Sequence, residues 1–458
     1  MAKQDSPMYL FEAMPIPKAV AHLSVPMVIT SLVTIVYNLA DTFFVGMLND
    51  PIQSAAVTLV YPVVLAFYAV SNLFGIGTSS MMSRCLGQGD YERVRSSSVF
   101  GFYGALFSAA LFAALCTLFC NPLLKLLGVD ALTHRATADY LFWTVTCGAV
   151  PGILNVVQGS MVRSEGAALH ASIGTMSGCI LNIILDPFFI LPSFMNMGAA
   201  GAGLATFLSN CVASGYFLIL ARAKKGRTFI SLDIRRLKRL SREVVLGILG
   251  VGIPASIQNL LNVTGSTILN IFTAGFGASA VAAMGICQKL HSIPMNMVLG
   301  FSQGVMPLVS YNYASDNRIR MKKGITFSLG VIVPTVILIT AGYWVFAPGL
   351  IGLFMDNAEI VFHGIRFLRG LCLNLLFLSV DFLAVGVFQA LGRGRNALIF
   401  AVMRKVLLEI PLLFILNALF PLYGLAYAQT VAELVMAAAA IVLLCRIFRE
   451  KTDSVTTK

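Results

Sequence analysis

Long apolar runs alternate with short polar stretches along almost the whole chain. Most of these runs are about 20 residues or longer, which is the length that a helix needs to cross the hydrocarbon core of a bilayer. The strands of a membrane β-barrel would instead appear as segments of roughly ten residues with alternating polar and apolar positions. The pattern therefore predicts an all-α integral membrane protein.

Turn signals divide the apolar sequence into twelve predicted spans. In chain order they cover residues 18–47, 53–80, 97–119, 136–160, 168–191, 199–221, 243–272, 280–308, 325–346, 361–390, 397–418 and 423–446. The first run is too long for the core of a signal peptide, and no small-residue cleavage pattern follows it. We therefore expect this run to be retained as span 1.

Composition supports a membrane protein, because 58% of the 458 residues are hydrophobic and only 11% are charged. Helices that are apolar on every side lie in lipid or in a very large core. The nine cysteines stand singly, without the spacing of a zinc site. We expect no disulfide and no bound metal, and the sequence contains no Walker P-loop that would bind ATP.

Basic residues give the chain a formal net charge of +12, and they are concentrated in alternate connections between the predicted spans. The largest group lies in 222–242, whereas the connections at 48–54 and 191–201 contain no lysine or arginine. By the positive-inside rule, the basic connections and both termini are cytoplasmic. The charge is therefore a topology signal, and it predicts contact with anionic lipid head groups rather than with nucleic acid.

The sequence repeats itself on the two sides of the basic stretch. HLSVPMVITSLV around Pro26 resembles GVGIPASIQNLL around Pro254, and the loop GQGDYERVR resembles YASDNRIRMKK. Two halves of six spans each enter the membrane in the same direction, and such a parallel repeat places a substrate site between two bundles. We assign residues 1–221 to an N-terminal half, 222–242 to a cytoplasmic linker, and 243–458 to a C-terminal half with a cytoplasmic tail.

Two carboxylates lie inside predicted spans, Asp41 in span 1 and Asp186 in span 5. A charge near the bilayer centre costs roughly 3 kcal/mol or more, so such residues usually face a cavity, a partner or a transported ion. Both lie about seven residues before the outer end of their spans, which is roughly 10 Å below the outer surface. We expect them to hold a proton or a small cation, and the alternative is a structural role in hydrogen bonds between helices.

Polar residues at a compatible depth complete the predicted coupling-ion site. The primary candidates besides the two aspartates are Tyr37, Asn182 and Thr206, and the secondary candidates are Asn38 and Tyr140. Pro26 removes a backbone hydrogen bond from span 1 and predicts a bend there, which is either static or a hinge.

Three more carboxylates lie inside the spans of the C-terminal half, namely Asp381, Glu409 and Glu433. Glu409 and Glu433 could each attract a cationic substrate or form hydrogen bonds between helices, and Asp381 could pair with a polar neighbour or line the cytoplasmic-side cavity. The alignment of Pro26 with Pro254 places Leu269 opposite Asp41, so the repeat has not kept that carboxylate. We therefore expect ion coupling in the N-terminal half, while the C-terminal half shapes a substrate cavity.

Four ordered motifs resemble those of the multidrug and toxic compound extrusion (MATE) transporters. They are N-x-x-D-T-x-F-V-G at Asn38–Gly46, G-Q-G-D at Gly87–Asp90, L-N-x-x-L-D-P at Leu181–Pro187 and G-x-A-T at Gly203–Thr206. The resemblance covers essentially the whole chain and is nearest to the bacterial MepA-like and DinF-like branches.

The resemblance implies a V-shaped protein of two six-helix bundles in the bacterial cytoplasmic membrane. It also implies an antiporter that exports amphiphilic organic cations against a proton or sodium gradient. The residues that correspond to the coupling-ion ligands of the family are Asp41, Asn182, Asp186 and Thr206, with Tyr37 nearby. Pro26 corresponds to the proline at which the first helix of the family bends.

Two other functional classes remain as alternatives. A flippase for a lipid-linked precursor would be expected to line its cavity with arginines or lysines that bind pyrophosphate. In this sequence the basic residues are concentrated at the cytoplasmic edge of the spans, which favours the exporter. A membrane enzyme is the third class, and no nucleophile and base or metal cluster in the spans supports it. We expect a monomer without a cofactor other than the coupling cation.

The distribution of lysine and arginine makes the topology testable. On a cysteine-free background, single cysteines introduced into 222–242 should react with an impermeant thiol reagent only from the cytoplasmic side, because basic connections stay inside. Single cysteines in 48–54 should react only from outside. Labelling of both connections from the same side would contradict the orientation.

Overall fold

The computed structural model describes residues 8–224, 226, 228–354 and 357–449. This part of the chain is helical throughout and contains no strand, and twelve helical segments follow the twelve predicted spans. Their bounds are Ile16–Gly46, Pro51–Gly87, Tyr91–Leu118, 134–164, Ala168–Ile190, Ala199–Ala223, Arg242–Ala274, Ala278–Ala314, Arg318–Gly352, Ala358–Ala390, 394–419 and Gly424–Arg449. The all-α prediction is confirmed. Lys225, Arg227 and the tail from residue 450 belong to the predicted basic regions and lie outside the described residues.

Two of the twelve segments are interrupted by a π-helical turn. Span 4 consists of His134–Leu141, the π turn Phe142–Cys147, and Ala149–Ser164, with a bend of 46°. Span 11 contains the π turn Met403–Glu409. π turns are frequent at functional sites. At these two interruptions the side chains point in other directions than they would in a regular α-helix.

Most of the segments are suited to a bilayer by length and composition. Nine helices of the described part are long and apolar enough to cross a membrane, and the bent pair of span 4 makes ten. The other two are spans 8 and 11. Span 8 carries the polar residues Lys289 and His291, and span 11 is divided by its π turn into pieces that are each shorter than a membrane span. All twelve predicted spans nevertheless form as helical segments.

The repeated cytoplasmic loops have the same local geometry in both halves. Gly89 and Asp316 adopt positive φ angles of 73° and 59°, a region that glycine reaches without strain and aspartate tolerates in turns. The following residues, Asp90 and Asn317, each accept a hydrogen bond from the backbone N–H three residues later, at 3.0 Å and 3.1 Å. These side chains cap the starts of spans 3 and 9.

Contacts between residues divide the chain into two units whose boundaries fall inside spans 1 and 7. One unit is Ile29–Ser256, and the other joins the chain up to Val28 with the chain from Ile257. The boundaries lie two residues after Pro26 and two residues after Pro254. Each proline therefore stands where its helix changes its set of neighbours.

Glycines let the first halves of spans 1 and 7 approach their neighbours closely. A Cβ atom on Gly304 of span 8 would lie 2.7 Å from the Cα of Ser24, and one on Gly77 of span 2 would lie 2.4 Å from the carbonyl oxygen of Ile248. Because lipid gives no hydrophobic drive to helix association, close packing of this kind holds membrane helices together. The two contacts occupy corresponding places in the repeat.

A short helix before span 1, Tyr9–Glu12, packs against the starts and ends of helices in the unit that contains spans 8 and 9. The ring of Phe11 is fully buried and stacks on Tyr311 with 4.8 Å between centroids. The guanidinium of Arg320 donates hydrogen bonds to the carbonyl oxygens of Leu10, Phe11 and Met14. These contacts fix the start of span 1.

Hydrogen bonds also attach the basic linker, in this case to span 3 and to the residue that follows span 4. The carboxyl group of Glu165 accepts hydrogen bonds from the Thr228 hydroxyl and from the Phe229 N–H, both at 2.7 Å. Ser98 and Ser231 exchange two hydrogen bonds, at 2.9 Å and 3.1 Å. Residues 228–231 of the linker are therefore attached to other parts of the unit Ile29–Ser256.

Glu165 makes the attachment of the linker dependent on pH. Burial raises the pKa of this carboxyl to about 7 from an ordinary 4.5, against the lowering effect of the hydrogen bonds from Thr228 and Phe229 and of the charge of Lys224. Because the attached state binds the proton more tightly than the released state, attachment is strongest below the ordinary pKa and weakens as pH rises through about 7.

We expect amide hydrogen exchange at Phe229, corrected for the intrinsic rate, to show protection that falls between about pH 4.5 and pH 7 and then stays level. In Glu165→Gln, the side-chain oxygen still accepts a hydrogen bond but cannot ionise, so protection should not change with pH. An equal loss of protection in both proteins would show that another group is responsible.

Candidate coupling-ion site

Asp41 and Asp186 come together in the unit Ile29–Ser256. The side chain of Asp186 is fully buried, and the charge of Asp41 acts on it directly. One carboxyl oxygen of each residue is buried without a hydrogen-bond partner. Within the described residues, no lysine or arginine is among the groups that act on either carboxyl. The site is therefore a pair of carboxyls without a basic partner.

Asn182 and Thr206 complete the set of ligands around Asp186. The Asn182 amide fits the site when its nitrogen donates to Asp186 Oδ2 at 3.0 Å and its oxygen accepts from the Thr206 N–H at 3.1 Å. The hydroxyl oxygen of Thr206 lies 3.3 Å from the same amide. Asn182 is one helical turn before Asp186, so both side chains leave span 5 on the same face.

Span 6 approaches spans 4 and 5 closely at this level. A Cβ atom on Gly203 would lie 3.0 Å from the Cβ of Trp143 in the π turn of span 4. A Cβ atom on Gly178 of span 5 would lie 3.0 Å from the carbonyl oxygen of Ser209. These small residues allow the helices that carry Thr206 and Asp186 to pack in contact, which brings the polar groups together.

Three tyrosines surround the two carboxyls. The hydroxyl of Tyr37 lies near the side chain of Thr206 and interacts with Asp41. Tyr140 is buried and interacts with both Asp41 and Asp186. Tyr68 of span 2 also interacts with Asp41 and with Tyr37. Sequence reasoning missed Tyr68, because a single tyrosine in an apolar helix carries no signal that separates it from an ordinary packing residue.

The structure does not bring every candidate into this cluster. Asn38 lies on an exposed side of span 1, although it precedes Asp41 by nearly one turn. Pro26 lies within the continuous helix Ile16–Gly46, two residues before the boundary between the units. Its side chain is too far along the helix to contact Asp41, so its place in the fold is that of a bending point.

The three candidate carboxylates of the C-terminal half form a second, separate cluster. Asp381 and Glu433 are fully buried and interact with each other, and Glu409 is 5% exposed. Glu409 accepts a hydrogen bond from the ammonium group of Lys405 at 2.5 Å. One guanidinium nitrogen of Arg404 lies 3.5 Å from Glu433 Oε1. All of these groups belong to the unit that contains the chain from Ile257.

The expectation that basic residues stay at the cytoplasmic edge is wrong for Arg404 and Lys405. Both lie in the π turn of span 11 and are only 3% and 5% exposed. The physical reason is pairing, because carboxylates of spans 11 and 12 neutralise the two cations inside the helix bundle. The sequence did not predict the burial of these two residues, because they lie in the cytoplasmic half of predicted span 11.

Comparison with known proteins decides the family. The MatE family model matches residues 26–188 and 254–415, which together are most of the chain. The chain belongs to the MATE family. The resemblance read from the motifs is thereby confirmed, and the two matched ranges start at the two repeated prolines, Pro26 and Pro254.

Relatives and solved structures of the family match over nearly the full length. The chain is 34% identical to the multidrug export protein MepA of Staphylococcus saprophyticus subsp. saprophyticus over 445 residues, and 33% identical to that of Staphylococcus aureus strain MRSA252 over 446 residues. Both matches cover 96% of this chain and 96% of the relative. The chain is therefore a multi-pass membrane transporter of the MATE family and not an enzyme.

The fold agrees with crystal structures of the family. A MATE protein in complex with MaL6 superimposes with a TM-score of 0.91 at 25% identity, covering 97% of this chain and 99% of the other. An outward-facing multidrug resistance MATE transporter of the MOP superfamily gives 0.89 at 25% identity, covering 98% and 99%. The twelve-helix architecture is thus that of the MATE family.

Proposed function

We propose that this MATE-family protein exports amphiphilic organic cations by antiport, and that the coupling cation binds between Asp41 and Asp186. The observation that carries the proposal is a pair of interacting carboxyls without a lysine or arginine partner, of which Asp186 is fully buried and Asp41 has one buried oxygen. Two such charges in one apolar site resist simultaneous ionisation, so the site has to take up a proton or a metal cation. The alternative of purely structural contacts does not require a titratable group at either position.

The oxygen atoms available at the site suit a proton or a sodium ion. Besides the two carboxyls they come from the Asn182 amide, the Thr206 hydroxyl and the Tyr37 hydroxyl. Oxygen ligands of this kind favour hard cations over the softer transition metals. Separately imposed pH and sodium gradients distinguish a proton from sodium.

Exchange follows if ion and substrate favour opposite states of the protein. Coupling between two sites is a reciprocal free energy, so a cation that biases the equilibrium between two conformations also changes the affinity for substrate. Span 1 carries Asp41, and it contains Pro26 at the point where the helix changes its neighbours. A change in the charge at Asp41 can therefore act on the same helix that contains the bending point.

The proposed substrate class rests on the relatives and on composition. The MepA relatives are named multidrug export proteins, and this chain matches them along almost their whole length. Its 19 methionines and 32 phenylalanines supply adaptable apolar side chains that accept varied shapes. We place the protein in the bacterial cytoplasmic membrane with both termini inside, as a monomer among anionic lipids.

A flippase is the second candidate, and the buried cations of span 11 are the observation that would favour it. Each of these cations already has a carboxylate partner, since Arg404 lies beside Glu433 and Lys405 beside Glu409. A pyrophosphate would have to displace those partners, so the pairs count against this substrate.

Substitution of either aspartate tests the proposed coupling site. Asp41→Asn and Asp186→Asn should each reduce ethidium efflux by about tenfold or more in cells that lack other pumps, because the site can no longer exchange its cation. The double variant should be no worse than either single variant, since the two carboxyls act as one unit. Membrane yield and thermal stability of the purified variants show whether they remain folded.

Asp139→Asn is the matched control, because this exposed carboxylate in span 4 pairs weakly with Arg135 at 4.0 Å and is not part of the cluster. It should leave efflux unchanged. Retention of gradient-driven efflux by both single variants of Asp41 and Asp186 would refute the coupling assignment.

A further inference from the structure

The C-terminal half contains a buried cluster of the same chemical type as the coupling-ion site. Two carboxyls, those of Asp381 and Glu433, face each other, and the amide of Asn262 lies close by. The clusters of the two halves differ in one respect. In the C-terminal half a guanidinium group, that of Arg404, lies among the oxygens.

Arg404 contacts two of the polar groups of this cluster and acts on the third through its charge. One of its terminal nitrogens donates to the side-chain oxygen of Asn262, and the other lies 3.5 Å from Glu433 Oε1. Its charge also acts on Asp381. The guanidinium carbon lies over the ring of Phe382, 5.4 Å from its centroid. The aromatic ring therefore contacts the face of the guanidinium, while Asn262 and Glu433 lie at its edges.

The local structure of span 11 fixes Arg404 in this position. The π turn Met403–Glu409 adds a residue to the helical turn and directs Arg404 and Lys405 into the bundle. Gly265 of span 7 provides the space, since a Cβ atom there would lie 2.8 Å from Glu409 Oε1 and 3.1 Å from Lys405 Nζ. Lys405 is thus paired with Glu409. Arg404 is the cation that remains to balance the carboxyls of Asp381 and Glu433.

We propose that Arg404 is the built-in cation of the C-terminal half. Its guanidinium occupies, between Asn262, Asp381 and Glu433, the kind of position that an exchangeable cation occupies in the N-terminal half. A tethered cation cannot leave, so this half has a polar cluster of its own through which no ion is exchanged. Two carboxyls facing one guanidinium need only one shared proton to reach neutrality. Arg404 is thus a positioning residue that confines ion exchange to the other half.

This inference builds on the proposed antiport. Its test measures cation binding, which does not require transport, so the two proposals can fail separately. The background is Asp41→Asn with Asp186→Asn, in which the N-terminal site is silent. In this background Arg404→Gln should expose a new cation site made of Asp381, Glu433 and Asn262. Its thermal unfolding midpoint should rise by about 2 to 5 °C when sodium chloride replaces choline chloride near pH 8, or on acidification to near pH 6.

Arg404→Lys is the matched control, because it keeps a fixed positive charge at the same place. The background alone and this variant should not respond to sodium, and on acidification they should show only the shift that Glu165 gives to every variant. A folded Arg404→Gln protein whose midpoint shifts no more than that of the background, in sodium or on acidification, would overturn the proposal. So would a sodium or acid response of Arg404→Lys equal to that of Arg404→Gln.

A further variant decides the case in which Arg404→Gln alone does not fold. Removing one partner of a buried ion pair leaves an unbalanced charge, whereas removing both restores the balance. Arg404→Gln combined with Glu433→Gln should therefore recover the membrane yield and show no response to cations. If this double variant is as unstable as Arg404→Gln, the guanidinium serves only packing and the proposal fails.

Discussion

The fold of this protein depends on how it balances charge inside an apolar medium. A carboxylate within a membrane helix requires a partner, and the two halves of the chain meet that requirement differently. In the N-terminal half, Asp41 and Asp186 have only neutral oxygen and amide groups around them. In the C-terminal half, Arg404 lies beside Glu433 and Lys405 beside Glu409. The proposed ion exchange in the first half rests on this difference.

This asymmetry is built on a scaffold that is otherwise repeated. The caps at Asp90 and Asn317 and the close glycine contacts at Gly77 and Gly304 occur in both halves. Spans 1 and 7 both change their neighbours two residues after a proline. Gene duplication of a six-span unit explains the common geometry. The two halves differ in a few buried polar residues, and our proposal of ion exchange in one half rests on those residues.

Much of this could be read from the sequence, because lipid imposes simple rules. Apolar runs of membrane length predict the helices, and an isolated aspartate in such a run marks a polar site. Other features depend on the rotation and irregularity of helices, which periodicity does not reveal. Asn38 is close to Asp41 in sequence but lies on an exposed side of span 1. Tyr68 joins the cluster from span 2, and the π turn of span 11 buries Arg404 where a regular pattern suggests a cytoplasmic edge.

Transport in proteoliposomes with imposed gradients tests the central claim most directly. The purified protein is reconstituted, and pH and sodium gradients are imposed separately while the movement of ethidium is followed. A gradient of one of these cations alone should drive ethidium uphill, and an ethidium gradient should in turn move that cation in the opposite direction. Ethidium movement that is indifferent to both gradients would contradict cation-coupled antiport.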